Sequence, residues 1–167
     1  RKFADAINYF EQVINTQQQC RDKAKAENRV PQCNDDVYAE ASFYIGLVHL
    51  QQFNFERSIA VLRPLAEDMK LTSVYNALGA IVVQASRAEK KNPARAAGLL
   101  NEGVDLLKKA AEAAADDGNV KFNYAVSLYL SGNLPEAANQ FRSAIVSNPR
   151  DGEAYYILAK TLGEIKD

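Results

Sequence analysis

A small residue followed four positions later by a large one recurs along this chain, and the spacing of the copies dictates the architecture. The pairs are Ala6 with Phe10, Ser58 with Leu62, Gly103 with Leu107 and Ala137 with Phe141. Each lies in an amphipathic stretch at helical spacing. The small residue lets a neighbouring helix approach closely, and the large one fills the gap one turn along. A second series of small residues, Gly46, Gly79, Ala125 and Ala159, marks the helices in between. Its members are 33, 46 and 34 residues apart, and those of the first series 52, 45 and 34. Both series share a base period of 34, with residues added at two places. Such a period predicts helix-turn-helix units stacked into an array.

The most regular unit shows the punctuation. In SGNLPEAANQFRSAIVSNPR, Asn133 is a candidate N-cap and Glu136 stands at capping-box distance from it. Pro135 is tolerated in the first turn, where its missing N–H would be unpaired anyway. Ala137, Phe141, Ala144 and Ile145 share one face, and Pro149 ends the helix. Asp151 is placed to cap the next helix.

Four segments carry the small residue inside a longer pattern. They are Tyr75-x-x-Leu78-Gly79-x-x-Val82, Ser42-x-x-Ile45-Gly46-x-x-His49, Lys121-x-x-Tyr124-Ala125-x-x-Leu128 and Tyr155-x-x-Leu158-Ala159-x-x-Leu162. Together with the small-x-x-x-large motif and the closing proline, the chain resembles the tetratricopeptide repeat family, whose pattern is W-x-x-L-G-x-x-Y, then A-x-x-x-F, then P. The family's tryptophan is absent throughout. The resemblance implies an all-α fold, a right-handed α-α superhelix of about eight antiparallel helices. It also implies one repeat domain over 1–167. Residues 1–38 hold the second helix of a truncated repeat plus an insertion. Repeats follow over 39–71, 72–117 (with an insertion) and 118–151, and 152–167 is the first helix of an unfinished one. On this reading the chain is part of a larger array or of a larger protein.

The first insertion lies within NTQQQCRDKAKAENRVPQCNDD. Its helix formers predict an extension of the first helix to near Asn28. RVPQCN then forms a loop, with Asp35 or Asp36 capping the next helix. The second insertion, within QASRAEKKNPARAA, predicts two lengthened helices with Asn92 as cap and Pro93 as first helical residue. Insertions of this kind serve either as tolerated length or as a dedicated contact surface. Pro64 falls inside a helix and predicts a kink. Cys20 and Cys33 are the only cysteines. A bridge between them would close a short loop, contribute about 3 kcal/mol on the chain-entropy model and suit an exported protein; the alternative is two unrelated thiols.

Composition removes several function classes. The net charge of -1 offers no excess to neutralise phosphates, which argues against nucleic acid. Lys90-Lys91 and Lys108-Lys109 are short runs offset by nearby acids, as on a solvated helix face. No apolar run reaches the roughly 18 residues that span a bilayer, so no membrane insertion is expected. The compartment stays open. His49, the single histidine, falls at a packing position. There is no nucleophile elbow, phosphate-cradling loop or HExxH, and the cysteines lack zinc-site spacing. No enzyme activity, cofactor or metal is expected.

By resemblance, function lies on the concave face, where first helices grip an extended peptide or a partner helix. The groove-facing residues would be Phe43, Leu47, Leu50, Asn76, Ala80, Val83, Phe122, Val126, Tyr129, Tyr156 and Lys160. Asn123 sits where the family often bonds a ligand backbone, a task that suits a side chain with both donor and acceptor. The chaperone-tail binders of the family use two lysines, two asparagines and an arginine. The matching positions here are Phe43, Leu47, Ala77, Asn119 and Asn123, and only the last agrees. The expected partner is therefore a protein or peptide with an apolar or aromatic segment. Self-association, or a regulatory array serving a catalytic domain elsewhere, is the alternative.

Overall fold

The computed structural model describes residues 2–30 and 32–166. Pro31 of the expected loop lies outside the described residues, as do Arg1 and Asp167. Eight helices run in order, and no strand occurs among the described residues. They are α1 (Lys2–Ala26), α2 (Asp35–Gln51), α3 (Phe55–Met69), α4 (Thr72–Ala88), α5 (Pro93–Ala113), α6 (Gly118–Leu130), α7 (Leu134–Ser147) and α8 (Gly152–Lys166). Packing groups them into two units, α1 to α3 and α4 to α8.

In the first unit α2 packs against both α1 and α3. The close approach of α2 and α3 is set at Gly46, where an added Cβ would lie 2.5 Å from Leu62 Cγ. Ser58, the small residue of this copy, donates its hydroxyl to the Gly46 carbonyl at 2.7 Å. α3 continues through Pro64 to Met69. His49 is 6% exposed, and its Nδ1 has no hydrogen-bond partner among the described residues.

α1 stops at Ala26, two residues short of the expected Asn28. Asn28 turns left-handed (φ 50°), and Arg29 N–H closes back onto the Ala24 carbonyl. Asparagine tolerates that conformation better than most residues. The following segment is tied back to α1. Cys20 and Cys33 are disulfide-bonded, with Cα atoms 5.8 Å apart. Gln17 Oε1 accepts from Asn34 N–H at 2.9 Å. Arg21 pairs with Asp35 and lies 4.2 Å over the Tyr38 ring. The α2 cap is Asn34 rather than Asp35 or Asp36: its side chain accepts from Val37 N–H. Asp35 is engaged by Arg21, and both acids fall in the first turn, where the helix dipole favours them.

In the second unit α4 and α5 meet at two glycines. A Cβ on Gly79 would lie 2.7 Å from Leu107 Cγ, and one on Gly103 2.5 Å from Val83 Cγ2. Val83, Leu107, Tyr124, Ala125, Leu128, Ala137 and Phe141 form one core across α4 to α7. α5, at 21 residues, is longer than α3 and α7, at 15 and 14, whereas α4 has the same 17 residues as α2. Asn92 caps α5 through Arg95 N–H, with Pro93 following. Lys90 and Lys91 lie in the turn before α5 and not on a helix face. Asp151 accepts from the Glu153 and Ala154 N–H groups at the start of α8.

The expected capping box of α7 does not form. Asn133 is the N-cap residue but makes no side-chain cap bond. Its own N–H already donates to the Leu128 carbonyl across a left-handed Gly132, so Glu136 is not needed there. Glu136 instead accepts from Gln140 at 2.8 Å.

Candidate functional site

Three helices of the second unit present aligned stripes to one cavity. α4 offers Ala80, Val83, Gln84 and Arg87, and α8 offers Glu153, Tyr156, Ile157 and Lys160. In both, the spacing is i, i+3, i+4, i+7, one face of a helix. α6 lies between them with Phe122, Asn123, Val126, Tyr129 and Leu130, and α5 contributes Leu107. The cavity volume is ≈ 350 Å³, within the range of sites that hold small molecules or side chains.

The walls are fixed by their neighbours. Phe122 packs edge-on against Phe141 of the core, centroids 5.8 Å apart. Asn123 Nδ2 donates to Asn76 Oδ1 at 3.0 Å, which sets the amide pair between α4 and α6. One oxygen and one nitrogen of that pair are left to meet a further polar group. The Tyr129 hydroxyl donates to Glu164 at 2.6 Å, and Lys160 Nζ lies 5.3 Å over the Tyr129 ring. Hydrogen bonding with Tyr129 raises the pKa of Lys160, and the charge of Glu164 acts in the same direction. Tyr156 is 71% exposed, an aromatic ring at the cavity with most of its surface in water.

Eight of the twelve expected groove residues thus line one cavity: Ala80, Val83, Phe122, Asn123, Val126, Tyr129, Tyr156 and Lys160. Asn76 does not line it but holds Asn123. Phe43, Leu47 and Leu50 belong to the first unit, half-buried on α2. Among the described residues, no cluster of His, Cys, Asp or Glu could hold a metal ion, and no helix is long and apolar enough to cross a membrane. A second cavity, ≈ 380 Å³, is lined by Lys108, Lys121, Glu112 and Glu136 beside Tyr124. Burial pushes the Tyr124 phenol above its usual pKa, and Glu136, Glu112 and Asp105 act in the same direction.

Residues 92–149 and 125–162 match the family described as tetratricopeptide repeat. Residues 92–162 of the chain carry tetratricopeptide repeats. Solved structures share the fold. MamA AMB-1 is 22% identical over 77% of this chain and 69% of its own, with a TM-score of 0.65. MamA MSR-1 is 21% identical over 97% and 87%, also at 0.65. A MamA RS-1 ArsTM double mutant is 11% identical over 98% and 86%, at 0.67. At these identities the likeness is one of fold. No curated protein matches the chain.

The repeat pattern did not point to Gln84, Arg87, Leu107, Leu130, Glu153 or Ile157. Gln84 and Arg87 continue the Ala80 stripe by one turn and two, into the inserted residues where the 34-residue register no longer applies. Helical spacing alone would have reached them. Leu107 belongs to a second helix, packed closely against α4 at Gly79, and the groove pattern counted first helices alone.

Proposed function

We propose that this tetratricopeptide repeat chain is a non-catalytic interaction scaffold, with the α4–α6–α8 face as the seat of a peptide or partner helix. One observation carries the reading: a half-open aromatic cavity stands beside an amide pair with a donor and an acceptor to spare. The rings supply apolar area, and the amides suit the backbone of a bound segment.

The test is to pan a display library of random short peptides on the chain. Phe122→Ala, Asn123→Ala and Tyr156→Ala should each weaken the recovered peptides about tenfold, or ~1.4 kcal/mol, with helix content unchanged by circular dichroism. Phe122 also touches Phe141, so the exposed Tyr156 is the cleaner probe. Recovered peptides that bind all three variants as tightly as the parent would remove this face from consideration.

Self-association is a second reading, favoured by a different surface. The α6 stripe Tyr124, Ala125 and Leu128 is covered by Ala137 and Phe141 of α7. In the equivalent α8 stripe Leu158 and Leu162 are half-buried, while Ala159 and the preceding Tyr155 are exposed.

A further inference from the structure

The cavity is mainly apolar, and its two cations, Arg87 and Lys160, differ in their surroundings. Glu153 lines the cavity beside them, and Glu164, which accepts from Tyr129, acts on Lys160, whereas no carboxylate is paired with Arg87 among the described residues. Both cations are exposed, and neither forms an ion pair among the described residues. Arg87 stands in the last turn of α4, within the inserted residues, and it leads directly into the turn that holds Lys90 and Lys91.

That turn is built to a fixed shape. Glu89 Oε1 accepts from the backbone N–H groups of Lys91 and Asn92, at 3.0 and 3.2 Å. Its other oxygen pairs with Arg95 at 3.5 Å. Ser86 Oγ donates to the Ala96 carbonyl at 2.8 Å and staples the two helices below the turn. The one acid of the tip is thus consumed inside it. Lys90 and Lys91 are exposed and have no carboxylate partner among the described residues. Arg87 at the cavity edge is thus followed along the chain by the exposed Lys90 and Lys91 of the α4–α5 turn, a basic strip in a chain whose net charge is -1.

We infer that the partner segment is both apolar and acidic. An aromatic or aliphatic side chain fills the cavity between Phe122 and Tyr156, and carboxylates of the same segment run along Arg87 and the Lys90–Lys91 tip. This rests on the proposal that the cavity is an interaction site. Charges at a rim raise association rates and select the partner's sign more than they add affinity. The strip therefore sets which apolar segments are admitted.

The displayed-peptide library tests this with a second set of variants on the full chain. The recovered sequences should carry Asp or Glu next to an aromatic or aliphatic residue. Their affinity should fall about tenfold on an Arg87→Gln, Lys90→Gln, Lys91→Gln, Lys160→Gln variant, chiefly through a slower on-rate, and the parent's binding should weaken as salt rises. Recovered peptides without acidic enrichment that depend on Tyr156 but ignore the four glutamines would overturn the charge selection and leave the groove reading intact. Failure to recover any peptide that depends on Tyr156 or Phe122 removes both. Equal retention of free inorganic phosphate and acidic peptide, each lost on the four-glutamine variant, would reduce the strip to a general anion surface and also sink the proposal.

Discussion

Gly98 and Gly103 stand five residues apart on α5 and respond oppositely to the same substitution. In a helix interior, glycine to alanine gains about 1 kcal/mol from propensity. Gly98 faces open space, with nothing within 4 Å of an added Cβ, so Gly98→Ala should raise stability by up to about that amount. Gly103 faces Val83 Cγ2 at 2.5 Å and the Gly79 carbonyl at 3.2 Å. Valine is stiff at χ1 and the carbonyl belongs to a helix, so neither yields cheaply. Overpacking costs about 1–3 kcal/mol and outweighs the propensity gain, so Gly103→Ala should lower stability. Urea denaturation of both variants checks the pair; a shift of the same sign in both would mean that α4 and α5 are not in close apposition. The need for Gly103 was legible, because the small-x-x-x-large motif is itself the trace of that approach. The cap of α2 was not. Whether Asn34 or an aspartate caps it depends on Arg21 engaging Asp35 from fourteen positions away, a contact that no local pattern encodes.

At the scale of elements, α1 is held by few strong contacts. Ala24 is its one buried hydrophobic residue among the core, while Phe3 and Tyr9 are exposed. Its attachments include the Phe10–Tyr44 stack, the Arg21 contacts, the Asn34 N–H bond to Gln17 and the Cys20–Cys33 bridge. A bridge of separation 13 contributes about 3 kcal/mol in the chain-entropy model. The double substitution Cys20→Ser, Cys33→Ser should therefore speed amide hydrogen exchange in α1 and in residues 27–30 and 32–34, and leave α6 and α7 protected as before. Unchanged exchange in α1 would mean that the other contacts suffice. The insertions were readable where punctuation is local: Asn92 and Pro93 start α5 as their types require. The lysine pair was misplaced: its neighbouring acids suggested a solvated helix face, whereas Glu89 captures two backbone N–H groups where the helix ends.

At the scale of the whole molecule, the repeat period carries most of the fold and part of the face. Eight all-α elements follow from the two spaced series of small residues, since each helix pair buries its apolar side only against neighbours. The cavity stripe follows from a one-position offset along the same helices, and it was lost where the insertion breaks the register. Self-association, proposed through the exposed Tyr155 and Ala159 of α8, belongs to this scale. Sedimentation over a range of concentrations should show a rising mass that Tyr155→Glu abolishes, and a single monomeric species throughout would exclude it. The fixed tip has a last consequence. Immobilising a long, rotamer-rich side chain or a loop on binding costs about 0.5–1.5 kcal/mol per side chain, with loop ordering in addition. Because Glu89, Ser86 and Asn92 have already settled the backbone beneath Lys90 and Lys91, only the two side chains remain to be ordered. The tip is preorganised: most of the entropy that a flexible loop would lose on docking was lost when the chain folded.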